Sequence, residues 1–258
     1  RLPPDENLVE DSLESALQLA RPFGERTTGR LYTRYRTTRV YEVEPDPFFP
    51  LDIEIAHPYA GAQLLYEDRD DRLDPTAGLF ASLDVSGSGA LAGSDFDYAR
   101  LFGQMQLYRG GRAAGRRFVW AQSVRVGWAR PFGGQELLRF ERFFAGGEHS
   151  VRGYETESLG PQEVLGALVR PLGGEALLVL NEELRVRLPW DLTGILFADA
   201  GQVWADASDF GSDLATAVGL GLRAPTPVGL LRVDAAFPLD RRPGDESYRL
   251  YVGFGNVF

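Results

Sequence analysis

The residues with the clearest chemical potential form a run from Gly146 to Tyr154, inside a long segment without strand character. The run reads Gly-Gly-Glu-His-Ser-Val-Arg-Gly-Tyr and places Arg152 between Val151 and Gly153. A guanidinium group can bind a carboxylate through two parallel hydrogen bonds, so it is suited to holding a loop in place. The alternative is a solvated loop arginine, which would contribute little.

The same run contains a base and a nucleophile by residue type, His149 and Ser150. Neighbours on a loop rarely point at each other, and no acidic residue is clearly placed to orient the histidine. The second histidine, His57, is far away in the sequence beside Pro58. We therefore predict that the protein is not an enzyme, with lipase activity as a remote alternative.

An acidic stretch at residues 67–74, Glu-Asp-Arg-Asp-Asp-Arg-Leu-Asp, carries the oxygen ligands that a divalent cation prefers. A polar turn in which Arg69 and Arg72 pair with neighbouring carboxylates explains the same residues without a metal. We therefore expect neither a metal site nor another cofactor.

Composition limits the partners and the compartment. The net charge of −10 argues against nucleic acid as a partner, and the absence of cysteine excludes disulfides and thiolate metal sites. The mean hydropathy of −0.20 suggests a soluble protein. That inference fails for membrane β-barrels, in which only alternate residues face lipid. The chain begins at Arg1 without a visible signal peptide, so we expect a mature or truncated chain.

Alternation of apolar and polar residues is the dominant pattern and predicts β-strands. A helix competes only at residues 8–20, where Glu, Leu and Ala dominate. In 177–188 the alternation is clear, although Glu182 interrupts the apolar face. The predicted strands are 13–20, 31–43, 62–68, 78–86, 99–107, 118–130, 177–188, 193–204, 215–224, 230–238 and 248–258.

A closed barrel whose outer face contacts lipid would account for these alternations. Short turns also alternate with long connections, as at the two ends of outer-membrane barrels. Trp120 and Trp128 are eight residues apart on one predicted face. They are ~26 Å apart along the strand, and a tilt of ~40° reduces this to ~20 Å, near the ~25 Å between aromatic girdles. The alternative is two core residues of a soluble sandwich, and Gln122 between them weakens the girdle interpretation.

The number of strands depends on how the chain closes the barrel. Eleven segments match the pattern, but a bacterial barrel with both ends in the periplasm needs an even number. Residues 49–56 could form a twelfth strand that turns at residues 58–61. We therefore predict an all-β, antiparallel transmembrane barrel of about 12 strands, forming one domain over residues 1–258, with a long loop in its lumen. The alternative is that strands before Arg1 are missing.

Five segments together resemble the barrel domain of the BamA/TamA-type outer-membrane assembly factors, also called the bacterial surface antigen family. They are 68–78, 142–161 with the Val-Arg-Gly-Tyr motif, 183–185, 197–204, and 226–234 with the terminal Phe258. Members of this family usually have a sixteen-stranded barrel preceded by periplasmic POTRA domains. No POTRA-like pattern precedes residue 8. The resemblance therefore implies either a small member without POTRA domains or an N-terminally truncated sixteen-stranded barrel.

The resemblance also implies a site. In the family, the loop with the arginine motif folds into the lumen, and the arginine meets acidic residues on the inner wall. The matching residues here are Val151, Arg152, Gly153 and Tyr154 in the loop, with Glu183 and Asp199 on the wall. The alternation agrees, because Glu183 shares the polar face of its strand and Asp199 stands between two alanines. Gly153 would allow a backbone conformation barred to other residues, and Tyr154 would pack in the lumen.

The end of the chain suggests a separate role. Phe254 and Phe258 fall on one face of the terminal strand and resemble the C-terminal signal by which barrels are recognised for assembly. Asn256 interrupts that apolar face, and an ordinary closing strand is the alternative.

These observations lead to a functional expectation. The resemblance implies insertion or translocation of proteins or lipids at the outer membrane of a Gram-negative bacterium. Outer-membrane lipids and client outer-membrane or secreted proteins are the expected partners. A plugged or passive pore is the second functional hypothesis, and a structural or oligomer-forming barrel is the third. The sequence leaves the client, the oligomeric state and the conductance of the lumen open.

Overall fold

The computed structural model describes residues 8–42, 52–89, 94, 96–113, 115–166, 168–227, 229–241 and 246–258. Within them the chain is almost entirely β-structure, with short 3-10 helices at Arg139–Glu141 and Ala207–Asp209. The strands are β1 (Leu8–Pro22), β2 (Thr27–Glu42), β3 (Asp52–Glu67), β4 (Ala77–Ser88), β5 (Tyr98–Ala113), β6 (Arg116–Pro131), β7 (Gln162–Leu165), β8 (Leu168–Pro171), β9 (Ala176–Arg187), β10 (Thr193–Trp204), β11 (Ala215–Thr226), β12 (Gly229–Pro238) and β13 (Arg249–Phe254).

Eleven of these strands form one antiparallel sheet in sequence order, from β1 to β6 and then from β9 to β13. In the described part of the chain, β1 and β13 are its two edges. β7 and β8 form a separate hairpin within the connection between β6 and β9. The expected all-β antiparallel class is confirmed. The competing helix at residues 8–20 is wrong, because this segment pairs along its whole length with β2.

The expected twelfth strand is also wrong. Residues 52–67 form the single strand β3, which continues through the proposed turn at Pro58; residues 49–51 lie outside the described ranges. Pro58 is tolerated because β3 pairs with β4 only from Ala60 to Glu67, whereas its pairing with β2 begins at Asp52. The missing amide of a proline does not interrupt a ladder where one side of the strand is unpaired. Within the described ranges the main sheet has eleven strands, one fewer than the expected number of about twelve.

The two faces of the sheet differ in the way that alternation predicts. On β9, Asn181, Glu183 and Arg185 are buried on one face, while Leu184 on the other face is 38% exposed. The outer face carries many exposed apolar side chains, among them Leu17, Leu64, Trp120, Leu196, Leu220 and Val252. No helix in the described residues has the length and apolarity needed to cross a membrane.

The connection between β6 and β9 packs against the inner face of β5, β6, β9, β10 and β11; we call residues 132–175 the lumenal loop. Phe143 bridges to Gly174 and Ala145 to Leu159, so the loop is folded on itself. Its apolar side chains form one core with inward residues of the wall. The loop contributes Leu137, Phe143, Ala145, Val151, Tyr154 and Leu159, and the wall contributes Tyr98, Ala129, Leu177, Val179, Val203, Ala215 and Ala217.

Candidate functional site

The Val-Arg-Gly-Tyr motif lies in a tight turn of the lumenal loop, pressed against the inner wall. Val151 and Arg152 have no measurable exposure, and Tyr154 is 5% exposed. Gly153 adopts φ +96°, and a Cβ there would lie 3.2 Å from the ring of Pro238. The turn therefore requires glycine both for its backbone conformation and for its close approach to β12.

Arg152 binds Asp199 of β10 through three hydrogen bonds. Its Nε and Nη2 donate to the two carboxylate oxygens of Asp199 at 2.7 and 2.9 Å, and its backbone amide donates to Oδ2 at 3.1 Å. This is the bidentate geometry in which a guanidinium binds a carboxylate most strongly. Asp199 is itself 3% exposed, so both charges are buried together.

The remaining nitrogen of Arg152 reaches two further acids. Nη1 donates to Oε1 of Glu183 on β9 at 2.8 Å and lies 3.5 Å from Oδ2 of Asp234 on β12. Its guanidinium carbon lies 3.5 Å from the centre of the Phe197 ring, a cation–π contact. One loop residue is thus joined to three different strands, and burial of its charge is compensated by paired carboxylates.

Other arginines share the same acids. Asp234 binds Arg223 at 2.5 and 3.1 Å, and Glu183 binds Nε of Arg185 at 3.0 Å. Arg232 extends the network back to the loop, because its Nη2 donates to Glu148 at 2.5 Å. We call Arg152, Arg185, Arg223, Arg232, Glu148, Glu183, Asp199 and Asp234 the lumenal charge network.

The structure brings together all four motif residues and both of the predicted wall acids. Sequence reasoning missed four other contributors. Phe197 stacks on Arg152, and Asp234 adds a third carboxylate. Asn181 donates to the backbone carbonyl of Ser150 at 2.7 Å and to Asp199 at 2.8 Å. The hydroxyl of Tyr251 accepts from the Gly153 amide at 2.9 Å. Asp234 and Asn181 had a detectable signal, since each alternates with apolar residues along its strand and therefore falls on the polar face.

The two C-terminal phenylalanines lie in different environments. Phe254 is 62% exposed on the outer face of β13. The chain then turns at Gly255, with φ +84°, and Asn256 donates to the carbonyl of Leu73 at 3.0 Å. The Phe258 ring lies 6.4 Å from that of Tyr108, with the guanidinium carbon of Arg185 5.6 Å from its centre. Phe258 therefore does not share the outward face that alternation predicted, because the strand ends before it.

Comparison with known proteins identifies the family. The sequence profile described as the Omp85 superfamily domain matches residues 6–258. The chain belongs to the Omp85 superfamily. It is 26% identical over 263 residues to the outer membrane protein assembly factor BamA of Nitratidesulfovibrio vulgaris, covering 98% of this chain and 32% of that protein. The BamA of Neisseria meningitidis serogroup B is 28% identical over 223 residues, covering 73% of this chain and 27% of that protein.

Solved structures show the same fold for this Omp85 chain. BamA from Haemophilus ducreyi lacking POTRA domains 1–3 matches with a TM-score of 0.79 at 20% identity, over 93% of this chain and 53% of that one. CdiB from Acinetobacter baumannii matches with a TM-score of 0.65 at 15% identity, over 98% of this chain and 44% of that one. This Omp85 chain thus spans about a third of the BamA sequences and about half of the BamA structure. The protein is an outer-membrane β-barrel protein of a Gram-negative bacterium.

The other candidate residues of this Omp85 protein do not form a catalytic pair. Ser150 accepts from the Gly146 amide at 2.7 Å, whereas His149 lies 3.3 Å from Glu148. The buried His57 is 3.1 Å from the hydroxyl of Tyr98 and 3.6 Å from Glu141.

The acidic stretch at residues 67–74 stabilises a turn through hydrogen bonds to backbone amides. Asp70 accepts from the amides of Thr76 and Ala77, at 2.9 and 3.0 Å. The amides of Asp74 and Leu73 hydrogen-bond to Asp71 and lower its pKa. Among the described residues, no group of three His, Asp or Glu side chains could hold a metal ion.

The proposed assembly signal can be tested directly. Deleting Phe258 should lower the amount of folded protein in the outer membrane about twofold or more, because the terminal aromatic contacts with Tyr108 and Arg185 are lost. Quantitative immunoblotting of outer-membrane fractions measures this, with Phe210→Ala, an exposed aromatic elsewhere, as the control. Full insertion without Phe258 would rule out the signal.

Proposed function

We propose that this Omp85 protein acts in the insertion or translocation of proteins or lipids at the outer membrane. The observation that carries the proposal is the binding of Arg152 to Asp199 and Glu183, which holds the lumenal loop inside the barrel. The relatives named outer membrane protein assembly factor support it. In this proposal residues 1–258 form one barrel domain, and no catalytic step is involved.

The occupied lumen favours this role over a passive pore. The lumenal loop shares an apolar core with β5, β6, β9, β10 and β11, and its charge network reaches β12. An open pore needs a continuous water-filled path, whereas these side chains pack tightly between the loop and the inner face of β5, β6, β9, β10 and β11. We propose that transport proceeds along the wall or the edges of the barrel, with outer-membrane lipids and client proteins as partners and without nucleic acid.

Depletion of the protein in its source bacterium tests the proposed function. Quantitative proteomics and lipid analysis of the outer membrane should show a subset of barrel proteins, secreted proteins or lipids reduced, with client proteins accumulating in the periplasm. Re-expression of the wild-type chain from a second locus should restore them. Unchanged protein and lipid composition would contradict the proposal.

Two further measurements test the alternative functions, a passive pore and a structural barrel. The purified full-length protein should show no steady conductance in planar bilayers while its loop is intact, and a steady open channel would favour the pore. Crosslinking in native membranes should capture client proteins, and exclusive self-contacts would favour a structural, oligomer-forming barrel.

A further inference from the structure

Three polar side chains form a cluster on the outer face of the barrel. Glu182 of β9 accepts from Trp120 Nε1 at 2.7 Å through one carboxylate oxygen and from Gln122 Nε2 at 2.7 Å through the other. Trp120 and Gln122 both belong to β6, and Gln122 is the register partner of Glu182. Glu182 and Gln122 are the same residues that interrupt the apolar pattern of their strands in the sequence.

The cluster faces away from the lumen. Glu182 alternates with Asn181 and Glu183, which are 0% and 1% exposed on the inner face. Trp120 is 45% exposed and Leu184, the next outward residue of β9, is 38% exposed. A carboxylate therefore stands among the side chains that contact the membrane, on a strand whose other outward residues are mostly leucine.

A charge in this position needs a partner. The indole and the amide orient the carboxylate, but both are neutral, and within the described residues no salt bridge joins Glu182 to a cationic side chain. Ionisable side chains at membrane depth are expensive and usually mark a functional site with a definite partner. Each carboxylate oxygen has more than one acceptor position, so both can accept a further hydrogen bond.

The depth of Glu182 indicates what can reach it. Trp120 lies near the short-turn end of β6, which corresponds to the periplasmic end of an outer-membrane barrel, and interfacial tryptophans mark the headgroup level. Gln122 is two residues further along, ~7 Å along the strand and ~5 Å along the barrel axis. The carboxylate thus lies just inside the headgroup layer, within reach of a lipid headgroup in the periplasmic leaflet.

We propose that Glu182, Trp120 and Gln122 form a binding site for the ammonium group of an amine-bearing phospholipid. A primary ammonium supplies both the positive charge and the N–H donors that the carboxylate lacks. An anionic headgroup is repelled by Glu182, and a quaternary ammonium has charge but no N–H donor. The lipid acyl chains then lie along the outward leucines of β9.

Native mass spectrometry of the full-length protein in detergent tests this site. The probes are phosphatidylethanolamine, phosphatidylcholine and phosphatidylglycerol with identical acyl chains. The wild-type protein should retain phosphatidylethanolamine about fivefold better than phosphatidylcholine, as expected for a partly solvated charged hydrogen bond. Glu182→Gln should abolish this preference, and Trp120→Phe, which removes the indole donor but keeps an aromatic ring, should reduce it. The control Asp191→Asn removes a carboxylate from an exposed turn and should leave the preference unchanged.

Two results would overturn the proposal. One is a preference for phosphatidylethanolamine over phosphatidylcholine that is the same in the wild-type and Glu182→Gln proteins, or that is absent from the wild type. The other comes from a photoreactive amino acid in place of Leu184, beside the site, in native membranes. Lipid adducts are expected there; predominant protein adducts would make this face a protein-docking surface instead.

Discussion

Replacing Arg152 with alanine should lower the stability of the barrel by about 3 kcal/mol, because Asp199 loses its buried counter-charge and Glu183 keeps only its contacts with Arg185 and Arg223. The lumenal loop also loses the contacts of Arg152 with β9, β10 and β12, so its local opening should become more frequent. Thermal unfolding in detergent measures the first effect. Cleavage after Glu148 by a glutamate-specific protease measures the second and should become faster.

Two variants make this experiment specific. Arg152→Lys keeps the charge but cannot form the bidentate contact, so its stability should fall between those of the wild type and the alanine variant. Arg187→Ala removes an arginine whose side chain is 46% exposed and should change stability by less than about 0.5 kcal/mol. If melting and proteolysis of Arg152→Ala both match the wild type, the loop is not held by this residue.

Asp234→Asn should have the next largest effect, a loss of about 3 kcal/mol of stability at nearly unchanged side-chain volume. Asp234 is 1% exposed and is the only carboxylate within hydrogen-bond distance of Arg223 in the described residues. It also lies 3.5 Å from Arg152. Its removal leaves buried guanidinium groups without sufficient compensation, which is the costly way to break a buried ion pair.

A double variant separates charge balance from a general loss of packing. Asp234→Asn combined with Arg223→Gln removes one charge of each sign and should recover at least half of the lost stability. Asp191→Asn, at an exposed turn, serves as the control. Thermal unfolding of the wild type, Asp234→Asn, the double variant and the control in one detergent measures the recovery. No recovery in the double variant would show that the lost stability does not come from the uncompensated charge of Arg223.

Alternation predicted the sheet well. All eleven segments expected as strands from their pattern correspond to the eleven strands of the main sheet. This works because the two faces of each strand meet different environments, so the sequence must alternate with period two. The error lies at Pro58, where a local turn signal competes with long-range pairing. The same long-range pairing decides residues 8–20, where a helix was the competing alternative.

The features of the charged site also divide into those set by neighbouring residues and those set by long-range contacts. The sequence motif and the alternation place Arg152 in a loop and Glu183 and Asp199 on the inner face of their strands, because these features depend on residues near each other in the chain. Which carboxylates share the guanidinium depends on how the sheet curves around the loop. That curvature brings Asp234, 82 positions after Arg152, to 3.5 Å, and places Phe197 beneath the guanidinium. Contacts between distant segments arise only when the whole sheet is folded, so no local pattern records them.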